Sequence, residues 1–220
     1  SKWEDQSGKR NDAIQENSNN QPELISDYIN GLPALSFNGS TSFMLTPKGL
    51  LDNLDSLSLF FVLKSNKPHS NAGFFGSNLS YMNLELIDVN TLGHFRVRNN
   101  NYGNNTVDYD LFNPIKKWTY LSMVCTNYNG NVWKNGLPLT ASNVNTELPI
   151  QSNIQQAIGR YAADYGNFFG DFQIAEMIIF NSFLSEDNRI EIENYFKNKY
   201  VKNVSLGEDI VISNSLCNIT

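Results

Sequence analysis

The chain has 220 residues, with 16 Lys and Arg against 22 Asp and Glu, a formal net charge of -6 and a pI near 4.9; this balance argues against nucleic-acid backbones and anionic membrane surfaces, which need clustered cations. Hydrophobic residues at 40% and aromatic ones at 12% suffice for one packed interior, and a chain of this size suits a single large all-β domain. The longest apolar runs, 57–63 and 174–180, are of strand length and far short of the roughly 20 residues of a membrane-spanning helix, so no membrane insertion is expected.

Residues 1–31 read as a polar, irregular opening segment anchored by Trp3 and Ile14, and 32–45 alternates through Leu35, Phe37 and Phe43 as a strand does. The run 56–63 is β-rich and too short for a free helix; it is expected to be a central strand, closed by Pro68 and by the Gly73 and Gly76 positions. Two segments then alternate with period two: Met82, Leu84 and Leu86 against Tyr81, Asn83 and Glu85, and Phe95 and Val97 against His94, Arg96 and Arg98. The turn formers of 88–93 predict that the two pair as an antiparallel hairpin, polar faces side by side. A third strand over 107–112 carries Asp108 and Asp110 on one face.

From 118 to 139 the pattern is strand, turn, strand, turn, ending at Asn135-Gly136, a pair suited to a type I′ turn because both central residues need positive φ. An aromatic, glycine-containing loop follows through Tyr161, Tyr165 and Phe168, and 174–180 reads as a final buried strand. A helix start is then marked by Ser185 as N-cap with Glu186 and Asp187 in the first turn, while Ile192, Tyr195, Phe196 and Tyr200 line one face. Lys197, Lys199 and Lys202 suit its C-terminal end. Residues 204–220, with an apolar run at 210–212, are expected to form a C-terminal strand or a connection to a following module.

The chemistry-bearing residues are sparse. His69 and His94 are the only histidines, neither beside a nucleophile elbow, which argues against a serine triad and against zinc. Two cysteines are too few for a disulfide framework. Cys125 reads as a small buried hydrophobe and Cys217 as an incidental thiol, with a single staple between them as the alternative. Asparagine fills about one position in seven and clusters where turns are expected. Sequons at Asn38, Asn78, Asn104, Asn203 and Asn218 are as many as so Asn-, Ser- and Thr-rich a chain produces by chance.

Two turn-bounded segments carry a resemblance. The first is Trp3-Glu4-Asp5-Gln6-Ser7-Gly8 with Asn11-Asp12-Ala13 and the stretch from Asn30-Gly31 to Asn38-Gly39; the second is 168–180 followed by Leu184-Ser185-Glu186-Asp187. With the Asn-Gly hairpins between them, over residues 3–200, they resemble the concanavalin A-like lectin/glucanase superfamily, in particular its laminin-G-like jelly-roll domains. The resemblance implies an all-β sandwich of two antiparallel sheets with one C-terminal helix, as a domain over 1–203. It further implies a non-catalytic carbohydrate-binding or adhesion module of a larger extracellular, cell-surface or virion-surface protein, with a glycan or cell-surface polysaccharide and the other domains or subunits of an assembly as partners. A structural decoration or fibre domain with no ligand of its own is the alternative, and a polysaccharide-degrading enzyme comes third.

Trp3 sits in a motif that follows an earlier strand in that family, so the chain is expected to be an excerpt of a longer protein. The ligand-binding candidates are Tyr81, Asn83, Glu85, His94, Arg96 and Arg98, a mixture of aromatic platform, donors and acceptors suited to sugars. Calcium, held by some relatives at a loop rim, has Asp5, Asp12, Asp164 and Asp171 as its candidates here. Glycosidases on this fold place catalytic carboxylates two residues apart on a strand; only Asp108 and Asp110 have that spacing, and the E-x-D-x-x-E pattern of laminarinase-like relatives is absent. Residues 195–200 resemble an alginate-lyase strand, yet they lack its glycine and follow a helix cap, so Tyr195 and Phe196 read as core contacts.

Overall fold

The computed structural model describes residues 1–67, 72–77, 82–89, 92–99, 105–110, 117–126, 130–141, 153–161 and 168–200. In chain order the strands are β1 (Lys2–Trp3), β2 (Ala13–Ile14), β3 (Glu23–Ile29), β4 (Leu32–Asn38), β5 (Met44–Leu45), β6 (Ser56–Lys67), β7 (Ala72–Gly76) and β8 (Met82–Val89). They continue with β9 (Leu92–Asn99), β10 (Asn105–Asp110), β11 (Thr119–Thr126), β12 (Gly130–Lys134), β13 (Leu137–Pro138), β14 (Ala157–Ile158) and β15 (Asp171–Phe180), before helix α1 (Glu186–Tyr200). The strands form an eight-stranded sheet, β1-β2-β5-β14-β7-β8-β9-β10, and a seven-stranded sheet, β13-β12-β11-β6-β15-β4-β3. Two antiparallel sheets and one C-terminal helix are the expected class.

β6 occupies the centre of the seven-stranded sheet, between β11 and β15. Leu57, Leu59, Phe61 and Leu63 enter the core between the sheets, while Phe60 and Val62 face the other way into a second cluster beneath α1 with Phe196 and Tyr200. Both faces of the 57–63 stretch are dry, which is why it is apolar on both sides, with Ser58 buried among the apolar residues, instead of alternating. The main core is aromatic: Phe37 stacks on Phe172 at 4.8 Å, and Phe61 meets Phe74 edge-on at 5.1 Å. A register shift between Gly73 and Phe75 in β7 lets two consecutive residues, Phe74 and Phe75, both enter that core.

The opening segment is more ordered than its polarity suggests, since residues 1–31 contain β1, β2 and β3. Trp3 packs against the core as expected, but Ile14 is 44% exposed and its neighbour Ala13 is the buried anchor. The Asn-Gly pairs at 30–31 and 135–136 have positive φ at each position, 53° and 77° at Asn30-Gly31 and 52° and 80° at Asn135-Gly136, the type I′ geometry that closes each hairpin. Cys125 is a buried free thiol that donates to the Leu57 carbonyl at 3.4 Å; burial pushes its pKa up to about 12. Cys217, His69 and the 210–212 run lie outside the described residues.

Helix α1 starts as expected, with the Ser185 hydroxyl accepting from the Asn188 N–H at 3.3 Å. Its buried face differs from the apolar stripe. Arg189, Glu193, Phe196 and Tyr200 are buried, whereas Tyr195 is 43% exposed and donates to Glu176 Oε1 at 2.9 Å. The phenol hydroxyl needs a polar partner, and Glu176 also accepts from Tyr200 and Lys199, so Tyr195 belongs to a polar clasp beside the core. At the other end Arg189 Nη1 lies 2.7 Å from Glu193 Oε2, with the guanidinium 4.2 Å above the Trp133 ring and the Ser122 hydroxyl donating to Glu193 Oε1 at 2.7 Å.

Phe196→Ala removes a fully buried ring and should cost about 3–5 kcal/mol in denaturant unfolding; a change near zero would mean that the helix is not docked through this residue. Glu193→Ala leaves a buried guanidinium without its buried counter-charge, only the exposed Glu186 remaining at 3.7 Å, and should cost a similar ~3–5 kcal/mol, while replacing Arg189 and Glu193 together by apolar residues should cost far less than the sum of the single changes.

Candidate functional site

The β8–β9–β10 register assembles the polar candidates into rows. Asn83 pairs with Arg98 and Arg98 with Thr106; Glu85 pairs with Arg96 and Arg96 with Asp108; Ile87 pairs with His94 and His94 with Asp110. The intervening positions Leu84, Val97 and Tyr109 belong to the core between the sheets. Because neighbouring residues of a strand alternate faces and directly opposed residues share one, the rows lie on the outer face of the eight-stranded sheet. Asn83, Glu85, His94, Arg96 and Arg98 are thereby on one surface, together with Asp108 and Asp110. Tyr81 and Asp164 lie outside the described residues.

The rows continue into β7 on glycines, since Gly73 pairs with Glu85 and Gly76 with Asn83. A side chain at Gly73 would run straight into the Tyr161 and Arg160 backbone, so that segment stands on the same outer face and closes the Glu85–Arg96–Asp108 row at one end. Gly159 donates to the Phe74 carbonyl at 2.9 Å, Tyr161 to Phe168 at 2.9 Å, Gly170 to Gly159 at 3.0 Å and Gly39 to Gly170 at 3.2 Å, a main-chain frame for the rim. On this frame Phe168, 38% exposed, packs edge-on against Tyr161 at 5.7 Å. The Arg160 guanidinium lies 4.0 Å above the Phe43 ring, which is 6.2 Å from Phe169. The parts of Phe43 and Arg160 in this rim were not read from sequence; the signal available was the aromatic stretch held between Gly159 and Gly170.

The aspartate candidates separate. Asp5 and Asp12 share the turn between β1 and β2, where Asp5 N–H donates to Asp12 Oδ1 at 2.9 Å. Asp5 Oδ1 accepts from Ser7 N–H at 2.8 Å and Oδ2 from Asn11 N–H at 2.9 Å and from the Ser7 hydroxyl at 2.8 Å. Lys2 Nζ is 2.9 Å from Asp12 Oδ2, so a cation already stands at this pair. Asp171 opens β15 in the other sheet, opposite Asn38. Among the described residues no group of three or more His, Cys, Asp or Glu is gathered as metal ligands, and the Asp5 and Asp12 oxygens brace the backbone of their own turn. Among the same residues, no helix is long and apolar enough to cross a membrane.

No family model and no curated protein matches this sequence. Solved structures do. Domain 4 of AbnA, a GH43 extracellular arabinanase from Geobacillus stearothermophilus in complex with arabinotriose, is 19% identical with a TM-score of 0.60, over 81% of this chain and 84% of that one. The binding domain of Paraclostridial Mosquitocidal Protein 1 is 13% identical with a TM-score of 0.64, over 89% of this chain and 50% of that one. A heptameric SAP-like pentraxin from Limulus polyphemus is 13% identical with a TM-score of 0.55, over 69% of this chain and 77% of that one. The chain therefore has the concanavalin A-like jelly-roll sandwich fold, and it spans about half the length of the toxin binding domains that it matches.

Hydrogen bonds from Asn11 and Ser7 hold the Asp5 carboxyl below the usual aspartate range, and those from Asp5 N–H and Lys2 do the same for Asp12. Both take up a proton less readily folded than unfolded. Their bracing of the loop is therefore complete above about pH 4 and is lost as acidification passes the lowered folded values. The Ser7 and Asn11 amides should be protected from hydrogen exchange at neutral pH and lose that protection in acid; Asp5→Ala should remove it at every pH. Undiminished protection in the variant would mean that the carboxylate does not hold the loop.

Proposed function

We propose that the chain is a non-catalytic carbohydrate-binding module of a larger extracellular protein, and that its glycan lies across the three rows on the outer face of the eight-stranded sheet. The observation that carries this reading is the register, which brings Asn83, Glu85, His94, Arg96 and Arg98 together on one surface and ends their central row against the Phe168 rim. Sugar rings offer hydroxyls to paired donors and acceptors and an apolar C–H face to an exposed aromatic ring. The likeness to a domain crystallised with arabinotriose, and to a botulinum neurotoxin binding domain in complex with SialylT, supports the same class of ligand. A non-catalytic role fits the acidic pair, because Asp108 and Asp110 stand opposite Arg96 and His94, positions that favour neutralised carboxylates over an acid and nucleophile.

A glycan-array screen comparing wild type with Arg96→Ala, Tyr81→Ala and Phe168→Ala tests this. Bound glycans should lose about 1–3 kcal/mol of affinity in Arg96→Ala. Loss in Phe168→Ala alone would move the site to the rim, whereas an empty array with no turnover of polysaccharides would favour a structural decoration domain.

A further inference from the structure

The opposite side of the molecule carries a second row of polar groups. α1 covers the part of the seven-stranded sheet over Phe60, Val62 and Tyr120. Away from it, Glu23 pairs with Ser36, Ser36 with Gln173 and Gln173 with Lys64, one residue from each of four adjacent strands. Their chain neighbours Leu35, Phe37, Phe172, Ile174 and Leu63 belong to the main core, which turns the row outward. Trp118 adjoins its Lys64 end, immediately before Thr119, the partner of Leu63. Tyr28 reaches over the same end, its hydroxyl 3.4 Å from Lys64 Nζ and its ring edge-on to Trp118 at 5.9 Å. It does so because β3 leaves register between Ile25 and Ile29, with Asp27 at φ 55°.

Gln173 makes this row more than a solvated face. It is only 5% exposed, and its side-chain oxygen Oε1 is buried without a hydrogen-bond partner, a state that folded proteins rarely leave unexplained. Beside it, the Lys64–Tyr28 contact is long and solvent-exposed, so it exchanges at little cost. The complementary ligand must donate a hydrogen to a buried carbonyl oxygen, accept one from an ammonium and lay an apolar face against aromatic rings. A bare anion supplies only the second of these and a hydrocarbon only the third; a saccharide supplies all three.

We propose that Trp118, Tyr28, Lys64 and Gln173 form a second saccharide subsite, on the face of the sandwich opposite the first. Tyr28 gives up Lys64 to one sugar hydroxyl and shifts off the row, which lets a second hydroxyl reach the otherwise closed-off Gln173 Oε1 while the ring packs between Trp118 and the displaced Tyr28. This subsite does not depend on the reading of the eight-stranded face.

The test is a titration of isotope-labelled protein with arabinotriose, sialyllactose and a panel of neutral oligosaccharides, followed through the Gln173 side-chain amide and the Trp118 indole in nitrogen–proton spectra. At least one saccharide should move both signals saturably. Gln173→Leu and Tyr28→Ala should each weaken that binding by roughly tenfold or more, while Arg96→Ala leaves it intact. Tyr28→Ala alters an exposed residue and keeps the test open should a change at Trp118 or Gln173 impair folding. A panel that moves neither signal, or binding unchanged in both Gln173→Leu and Tyr28→Ala, would overturn the proposal; perturbation confined to β8 and β9 would overturn it while sparing the first site.

Discussion

A strand that must stay dry on both sides organises this molecule. β6 sends Leu57, Leu59, Phe61 and Leu63 to one side and Phe60 and Val62 to the other. Neither set can face water without giving up its burial, so the sheet needs a second sheet on one side and a helix on the other. α1 is that second cover. The Ser58 hydroxyl of β6 pins the approach to it, donating to the Ser182 carbonyl at 2.8 Å and accepting from Leu184 N–H at 3.2 Å, so the central strand positions the cap that shields it.

The eight-stranded sheet follows a different constraint, close approach of main chains. Gly73, Gly159 and Gly170 meet where any side chain would collide: a Cβ on Gly170 would lie 2.7 Å from the Gly73 carbonyl oxygen, and one on Gly159 would lie 2.9 Å from that of Ser42. The rim is thus tied to the sheet by backbone, with the Arg160–Phe43 and Phe43–Phe169 contacts beside it. A frame of this kind lets Phe168 vary without disturbing the rows of β8 and β9, and it separates what keeps the loop in place from what a ligand would touch.

Local features were legible in the sequence. Asn135-Gly136, the Ser185 cap and the period-two alternation of 82–86 and 95–97 each rest on neighbouring residues, and each appears where expected. The hairpin register that gathers Glu85 and Arg96 followed from the same alternation. Long-range relations were not legible. β1 and β2 are two-residue strands too short to leave a period, and the Glu23–Ser36–Gln173–Lys64 row draws on segments more than a hundred residues apart. The helix face failed for a chemical reason: an apolar stripe cannot announce that a guanidinium and a carboxylate will be buried together, because each is hydrophilic alone and only the pair, with Ser122 and Trp133, tolerates burial. The turns that made Asp5 and Asp12 conspicuous in the sequence are the turns their oxygens brace.

The Arg189–Glu193 pair also bears on how such a domain can change over time. Either residue exchanged by itself leaves its partner stranded under the helix, so a lineage crossing from the charged pair to an apolar one must pass through a poorly folding ancestor or alter both codons nearly together. Among descendants of a common sequence the two positions should therefore covary, kept as a couple or lost as a couple, even where the surrounding surface has diverged beyond alignment.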